Sequence, residues 1–131
     1  MIDLNGFKQI NDNYGHSEGD LALCIVADLF RESFSEYGVV TRYAGDEFVV
    51  MLNTTDDQLI QKIIKSAKKN FVTENEKNDK PYQLSASMGY AITNLSNETI
   101  DDFMNRIDER MYQDKMKYYE PVSYTHLTLP T

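Results

Sequence analysis

The chain is predicted to fold as an α+β domain of ferredoxin-like design, an antiparallel sheet covered by helices. Three observations carry that expectation. Amphipathic helical stripes alternate with short β-rich runs along the sequence. Two of those runs flank a tight acidic turn, the mark of a hairpin. The resulting order is strand end, helix, hairpin, helix, strand, helix, which packs helices onto one sheet. With 131 residues, 41% hydrophobic and 26% charged, the sequence suits one globular domain.

Each element follows from its pattern. Asp3-Leu4-Asn5 closes a first strand whose earlier part is too short to judge alone. From about Glu18 to Phe34, Ala22, Ile25, Val26, Leu29 and Phe30 recur at the spacing of one helix face. Val39 to Tyr43 and Phe48 to Leu52 are the hairpin strands around Ala44-Gly45-Asp46-Glu47. Ile60, Ile63, Ile64, Ala67 and Phe71 stripe a second helix, with Lys62, Lys65, Lys68 and Lys69 on its solvated face. Tyr82 to Thr93 alternates apolar and polar residues and predicts a half-buried strand. A third helix is expected from Thr99, which is spaced from Asp102 like a capping box. Its apolar stripe is Ile100, Phe103, Met104, Ile107 and Met111, read as core. Pro121 to Thr131 has no periodicity and reads as a disordered or non-native tail.

Charge bounds the partners. The net charge is −8 and the pI about 4.6. An acidic surface repels phosphate backbones, so nucleic acid and anionic membrane are poor partners, and an anionic ligand would need bridging cations. Cys24 is the one cysteine. It cannot form an internal disulfide, fits a reducing compartment, and is expected as a buried inert thiol within an apolar helix. No apolar run approaches the roughly 20 residues of a membrane span.

Taken singly, the polar motifs are bland. Asp46-Glu47 is an ordinary solvated turn, and Asn11-Asp12, Gly15-His16 and Gly19-Asp20 resemble turn residues and a helix start. Three carboxylates at strand ends and turns are nevertheless costly unless solvated or bound to metal, and hard oxygen ligands suit Mg²⁺. No Walker-type loop, GxGxxG, GxSxG or Cys/His cluster occurs.

Together the blocks become specific. Asp3-Leu4-Asn5-Gly6-Phe7-Lys8-Gln9-Ile10-Asn11-Asp12, Gly15-His16 and Gly19-Asp20 closely resemble the DxDxFKxIND…GH…GD segment of diguanylate cyclases. Arg42-Tyr43-Ala44-Gly45-Asp46-Glu47-Phe48 is similar to their RYGGDEF hairpin. Ser85 to Ala91 resembles a later strand, and Arg106-Ile107-Asp108 with Met111-Tyr112-Gln113-Asp114-Lys115 resembles the RAD…LYxAK helix. Four blocks in order span Asp3 to Lys115.

That resemblance implies a nucleotidyl-cyclase palm that condenses two GTP into cyclic di-GMP plus pyrophosphate for bacterial second-messenger signalling. Turnover would use Mg²⁺ or Mn²⁺ and a homodimer, in the cytoplasm, with no direct membrane contact by this domain, although the parent protein could be anchored elsewhere. Asp3, the Leu4 carbonyl and Asp46 would hold metal. Asp46 would also help deprotonate the 3′-hydroxyl, and Glu47 would add negative field. Asn11 and Asp20 would read guanine with support from His16, Gly45 would allow close backbone approach, and Lys115 would contact phosphate.

Departures from the pattern carry expectations too. Ala44 replaces a hairpin glycine and should be tolerated unless its φ is positive. Asn5 replaces the usual second Asp. Tyr118-Tyr119 stand where Gly-Arg is expected, with Lys117 as a partial substitute for the phosphate-gripping arginine. Ser35 and Gly38 occupy the positions of an inhibitory RxxD, so product inhibition through that site is not expected. The alternative is a catalytically silent GGDEF module that binds GTP or a partner. The resemblance further implies opening helices and most of the first strand before Met1, and a closing strand after the last helix. Residues 1–120 would then be a partial domain, and the chain alone would be marginally stable and weakly active or inactive.

Overall fold

Ile2–Leu4 forms the first strand, β1, in which Ile2 and Leu4 face the core while Asp3 takes the opposite face. The computed structural model describes residues 1–93 and 96–128, with side chains described to 118. After β1 come helices α1 (Phe7–Tyr14) and α2 (His16–Phe34), then the hairpin of β2 (Gly38–Ala44) and β3 (Glu47–Leu52). Helix α3 (Asp57–Glu76), strand β4 (Ala86–Met88) and helix α4 (Ile100–Thr128) complete the order. The strands lie β2-β3-β1-β4, all antiparallel. That is the expected ferredoxin-like α+β layout, with the three-residue β1 inside the sheet and the equally short β4 at its edge.

Local chemistry explains the element ends. Asp56 caps α3 by accepting from the Gln58 and Leu59 amides at 3.1 and 3.3 Å. Thr99 does the same for α4, its Oγ1 accepting from the Asp102 amide at 3.1 Å. Gly15 joins α1 to α2 at φ +93°, a conformation that L side chains rarely adopt. The hairpin turn is tied by Arg42, whose Nε and Nη2 both donate to the Gly45 carbonyl at 2.9 and 2.7 Å.

The core joins β1 and β3 to one face of α2 and α3. Phe30 of α2 is fully buried at its centre. Its ring lies 5.0 Å from Phe48 and 5.6 Å from Phe71, both edge-on, and 6.1 Å from Phe34. Ala22, Val26, Ile63 and Ala67 are buried as their helical spacing predicts.

Four expectations need correction. The strand expected over Tyr82 to Thr93 is ordered as β only at Ala86–Met88, because its partner β1 has three residues to pair with. Flanking bonds from the Asn5 amide to the Ser85 carbonyl and from the Gly89 amide to the Met1 carbonyl extend that ladder slightly. Asn11-Asp12, read singly as turn residues, lie within α1, whose one buried side chain, Ile10, is too little to make a periodic signal. Cys24 is exposed, since it lies across the helix from Ala22 and Val26. The α4 stripe is only partly core: Ile107 is buried and Ile100 is 64% exposed. The tail expected over 121–131 falls on residues whose side chains lie outside the described set.

Helix α4 crosses beside the edge strand β4. A Cβ on Gly89 would lie 2.2 Å from the Met111 amide nitrogen, so the backbones touch there and only glycine fits. Gly89→Ala is expected to cost about 1–3 kcal/mol as helix and strand separate, read as a lowered urea midpoint. An unchanged midpoint would show that α4 does not dock at Gly89.

No helix of the described residues is long and apolar enough to cross a membrane.

Candidate functional site

The site forms where β1 meets the hairpin turn. Antiparallel pairing sets Asp3 directly opposite Glu47 on β3 and Ser87 on β4. Directly paired residues share a sheet face with Cβ atoms about 5 Å apart, so the two carboxylates stand side by side. The Leu4 amide donates to the Asp46 carbonyl at 3.0 Å, which holds the turn against the end of β1. Backbone pairing thus brings Asp3, Leu4, Asp46 and Glu47 together.

Asp3 is 8% exposed. Its Oδ2 accepts from Lys115 Nζ at 2.9 Å, and its buried Oδ1 has no hydrogen-bond partner. A buried carboxylate oxygen without a partner is costly, and a coordinated cation is one way to satisfy it. The donor set of Asp3, Asp46 and Glu47 is hard oxygen, which suits Mg²⁺ or Mn²⁺. Among the described residues no three acidic, His or Cys side chains already converge in a ligating cluster. The orphaned Oδ1 and these oxygen donors fit a divalent ion that completes its shell with water and phosphate.

The guanine-reading candidates lie on the α1–α2 pair. Asn11 is half-buried, while His16 and Asp20 are exposed on α2. A Cβ on Gly19 would sit 1.8 Å from Asn11 Oδ1, so the Asn11 amide lies over Gly19, the residue before Asp20. Tyr82 braces this corner: its hydroxyl donates to Glu18 Oε1 at 2.9 Å, and its ring packs 5.4 Å from Tyr14. Burial first, and the Glu18 carboxylate second, push the Tyr82 pKa up to about 12, so it remains a donor at neutral pH.

Gly45 has nothing within 4 Å of where a Cβ would lie, and its surroundings are open. Asn78 is the one non-glycine with positive φ among the described residues, so Ala44 sits in its turn without that strain.

Two groups carry roles the motifs did not reveal. Asn5 is 4% exposed and clamps β1 to β4, its Nδ2 donating to Ser85 Oγ at 3.0 Å. The Ser87 hydroxyl donates to Asn5 Oδ1 at 2.8 Å, so both ends of the amide are engaged. The shared alternation of Asp3, Asn5, Ser85 and Ser87 was the available signal. Asp114 accepts from Lys68 Nζ at 2.7 and 2.8 Å and from the Met88 amide at 2.8 Å, tying α4 to α3 and to the edge of β4. That tie holds α4 where the neighbouring Lys115 reaches Asp3.

Known proteins resemble this chain along most of its length. The family model described as diguanylate cyclase, GGDEF domain, matches residues 1–119. A protein named diguanylate cyclase A from Treponema denticola is 30% identical over 131 residues, covering 99% of this chain. The chain spans 35% of that relative's length. Among solved structures, the active GGEEF domain of a diguanylate cyclase from Vibrio cholerae superposes with a TM-score of 0.69 at 27% identity, covering 88% of this chain and 74% of that one. Diguanylate cyclase SiaD of Pseudomonas aeruginosa, solved with its activator SiaC, gives 0.71 at 25% identity, covering 88% and 45%.

Proposed function

This chain belongs to the diguanylate cyclase GGDEF-domain family, and from that membership we propose that it condenses two GTP into cyclic di-GMP in bacterial signalling. The carrying observation is the buried Asp3 carboxylate, with its orphan Oδ1, set beside Glu47 and the Asp46 turn.

Each 3′-hydroxyl attacks the α-phosphorus of the other nucleotide, and two pyrophosphates leave. Such transfer is mostly positioning and charge neutralisation. Asp3, the Leu4 carbonyl and Asp46 would hold Mg²⁺ or Mn²⁺, which would neutralise the triphosphate when bound. Asp46 assists removal of the 3′-hydroxyl proton, and Glu47 strengthens the negative field beside Asp3. Asn11 and Asp20 read guanine, His16 supports that pocket, and Lys115 reaches phosphate. A carboxylate at Asp20 pairs with the N1–H and exocyclic N–H of guanine, and adenine lacks that donor pair. Gly45 leaves the turn open to the nucleotide.

One chain offers one half-site, so turnover needs two copies. We assign residues 1–120 to this cytoplasmic domain, with no nucleic-acid partner, no direct membrane contact and no RxxD product site at Ser35 and Gly38.

One observation favours a second reading. Tyr118-Tyr119 stand in place of the family's Gly-Arg pair, so the phosphate-gripping arginine is missing, and the Tyr118 hydroxyl lies 3.7 Å from the Cβ position of Gly6. A silent GTP-binding or partner-binding module would fit that loss. Incubating the full-length protein with GTP or ATP and Mg²⁺ decides between the two. Cyclic di-GMP from GTP alone supports the cyclase, and nucleotide binding without product supports the silent module.

A further inference from the structure

We propose that Asn75 and Asp114 guard the open edge of β4, taking the hydrogen bonds that a strand of a second copy would otherwise make. Among the described residues β4 pairs with β1 on one side and with no strand on the other. The Asn5 amide donates to the Ser85 carbonyl at 2.8 Å and the Gly89 amide to the Met1 carbonyl at 3.0 Å. Ser85 and Gly89 therefore turn their backbone groups towards β1. Backbone direction alternates along an antiparallel strand, so Leu84, Ala86 and Met88 turn theirs outward. Such a row is a template for pairing with another chain.

Side chains occupy both ends of that row. Asn75 of α3 donates from Nδ2 to the Leu84 carbonyl at 2.8 Å, and its Oδ1 accepts from the Leu84 amide at 2.8 Å. One carboxamide thus makes the donor and acceptor pair that a neighbouring strand residue would make. Asp114 of α4 accepts from the Met88 amide through Oδ2 at 2.8 Å. Lys68 holds that carboxylate in place, with Nζ 2.8 and 2.7 Å from its two oxygens. Ala86 is then flanked by two occupied positions, too short a run for a strand to pair. Asp114 stands where the LYxAK block has alanine, so this half of the guard belongs to this sequence and not to the shared motif.

The edge needs a guard because the helices do not seal it. A groove between α3 and α4, lined by Phe71, Val72, Ala86 and Lys117, opens onto it. An outward amide that water can reach gains only a modest net stability from a side-chain partner. The larger consequence of these bonds is to deny the edge to another strand.

Light scattering on the full-length protein, over a range of concentrations and without nucleotide, tests this. The double variant Asn75→Ala with Asp114→Ala is expected to raise the mean mass over the parent by about twofold or more, as edge-to-edge pairing of two copies requires. An intermolecular strand band in the infrared spectrum should accompany it. Asp114→Asn keeps an acceptor oxygen for the Met88 amide and should stay near the parent. Asn70→Ala removes another α3 carboxamide, which donates to Ser33 Oγ at 2.8 Å in the α2–α3 interface, and should also stay near the parent. Circular dichroism confirms that each variant is folded.

A folded double variant with the mass of the parent overturns the guard. Equal association in Asp114→Asn also overturns it, because charge and not the hydrogen bond would then keep copies apart. Equal association in Asn70→Ala overturns it too, since general loosening would be the cause. Should the double variant lose its fold, Asp114→Ala alone decides by the same readout.

Discussion

Replacing Asp46 by Asn in the full-length protein is expected to lower cyclic di-GMP formation by about 10³-fold, with the fold intact. Asn keeps the size of Asp and removes its charge. The fold uses Asp46 through its backbone carbonyl, which accepts from the Leu4 amide at 3.0 Å and survives the substitution. Asp46 is half-buried in the turn. Removing one preorganised electrostatic group at a reacting centre costs about 10²–10³-fold, and losing a metal ligand as well sets the effect at the upper end. Product chromatography together with a thermal melt checks both halves. A variant that melts like the parent and still turns over within about threefold of it would remove Asp46 from the chemistry.

Phe30→Ala should cost about 3–5 kcal/mol, the range for truncating a fully buried aromatic side chain. Phe30 touches Phe48 on β3, Phe71 on α3 and Phe34 on its own helix, so the cavity would open where three elements meet. Rings from different elements resist collapse into such a space. Typical domain stability is about 5–15 kcal/mol, so the loss is a large fraction of the whole. At a few degrees per kcal/mol the melting temperature should fall by about 10–20 °C. A fall below about 4 °C would show that the α2–α3 face is not the centre of the core.

Much of this was legible from periodicity. The α2 and α3 stripes name Ala22, Val26, Phe30, Ile63, Ala67 and Phe71, all of which are buried. The hairpin follows from its acidic turn. One failure depended on a partner far away in sequence. Whether Tyr82 to Thr93 pairs as a strand is set by the length of β1, some 80 positions earlier, which local alternation does not encode. Helix α1 is too short and too polar to show a stripe, and the exposure of Cys24 turns on a rotation of about 200° from Ala22.

The site divides the same way. Motif spacing names Asp3, Asp46 and Glu47, and the β1–β3 register is what sets Asp3 beside Glu47. The Lys115 contact with Asp3 spans nearly the whole chain and depends on how α4 docks against Gly89 and Asp114, so no local pattern reports it. Asn5 illustrates the converse. Read as a weakened acidic motif, it is a satisfied clamp to Ser85 and Ser87.

The proposed function requires that the acidic end of β1 and the hairpin turn hold a triphosphate through a divalent cation shared by Asp3 and Asp46. Calorimetric titration of the full-length protein with GTP, with Mg²⁺ and then with a chelator in its place, measures that directly. The account predicts saturable heat with Mg²⁺ that disappears with chelator and is lost in Asp3→Asn. Equal GTP binding in the two conditions, or none in either, would contradict it.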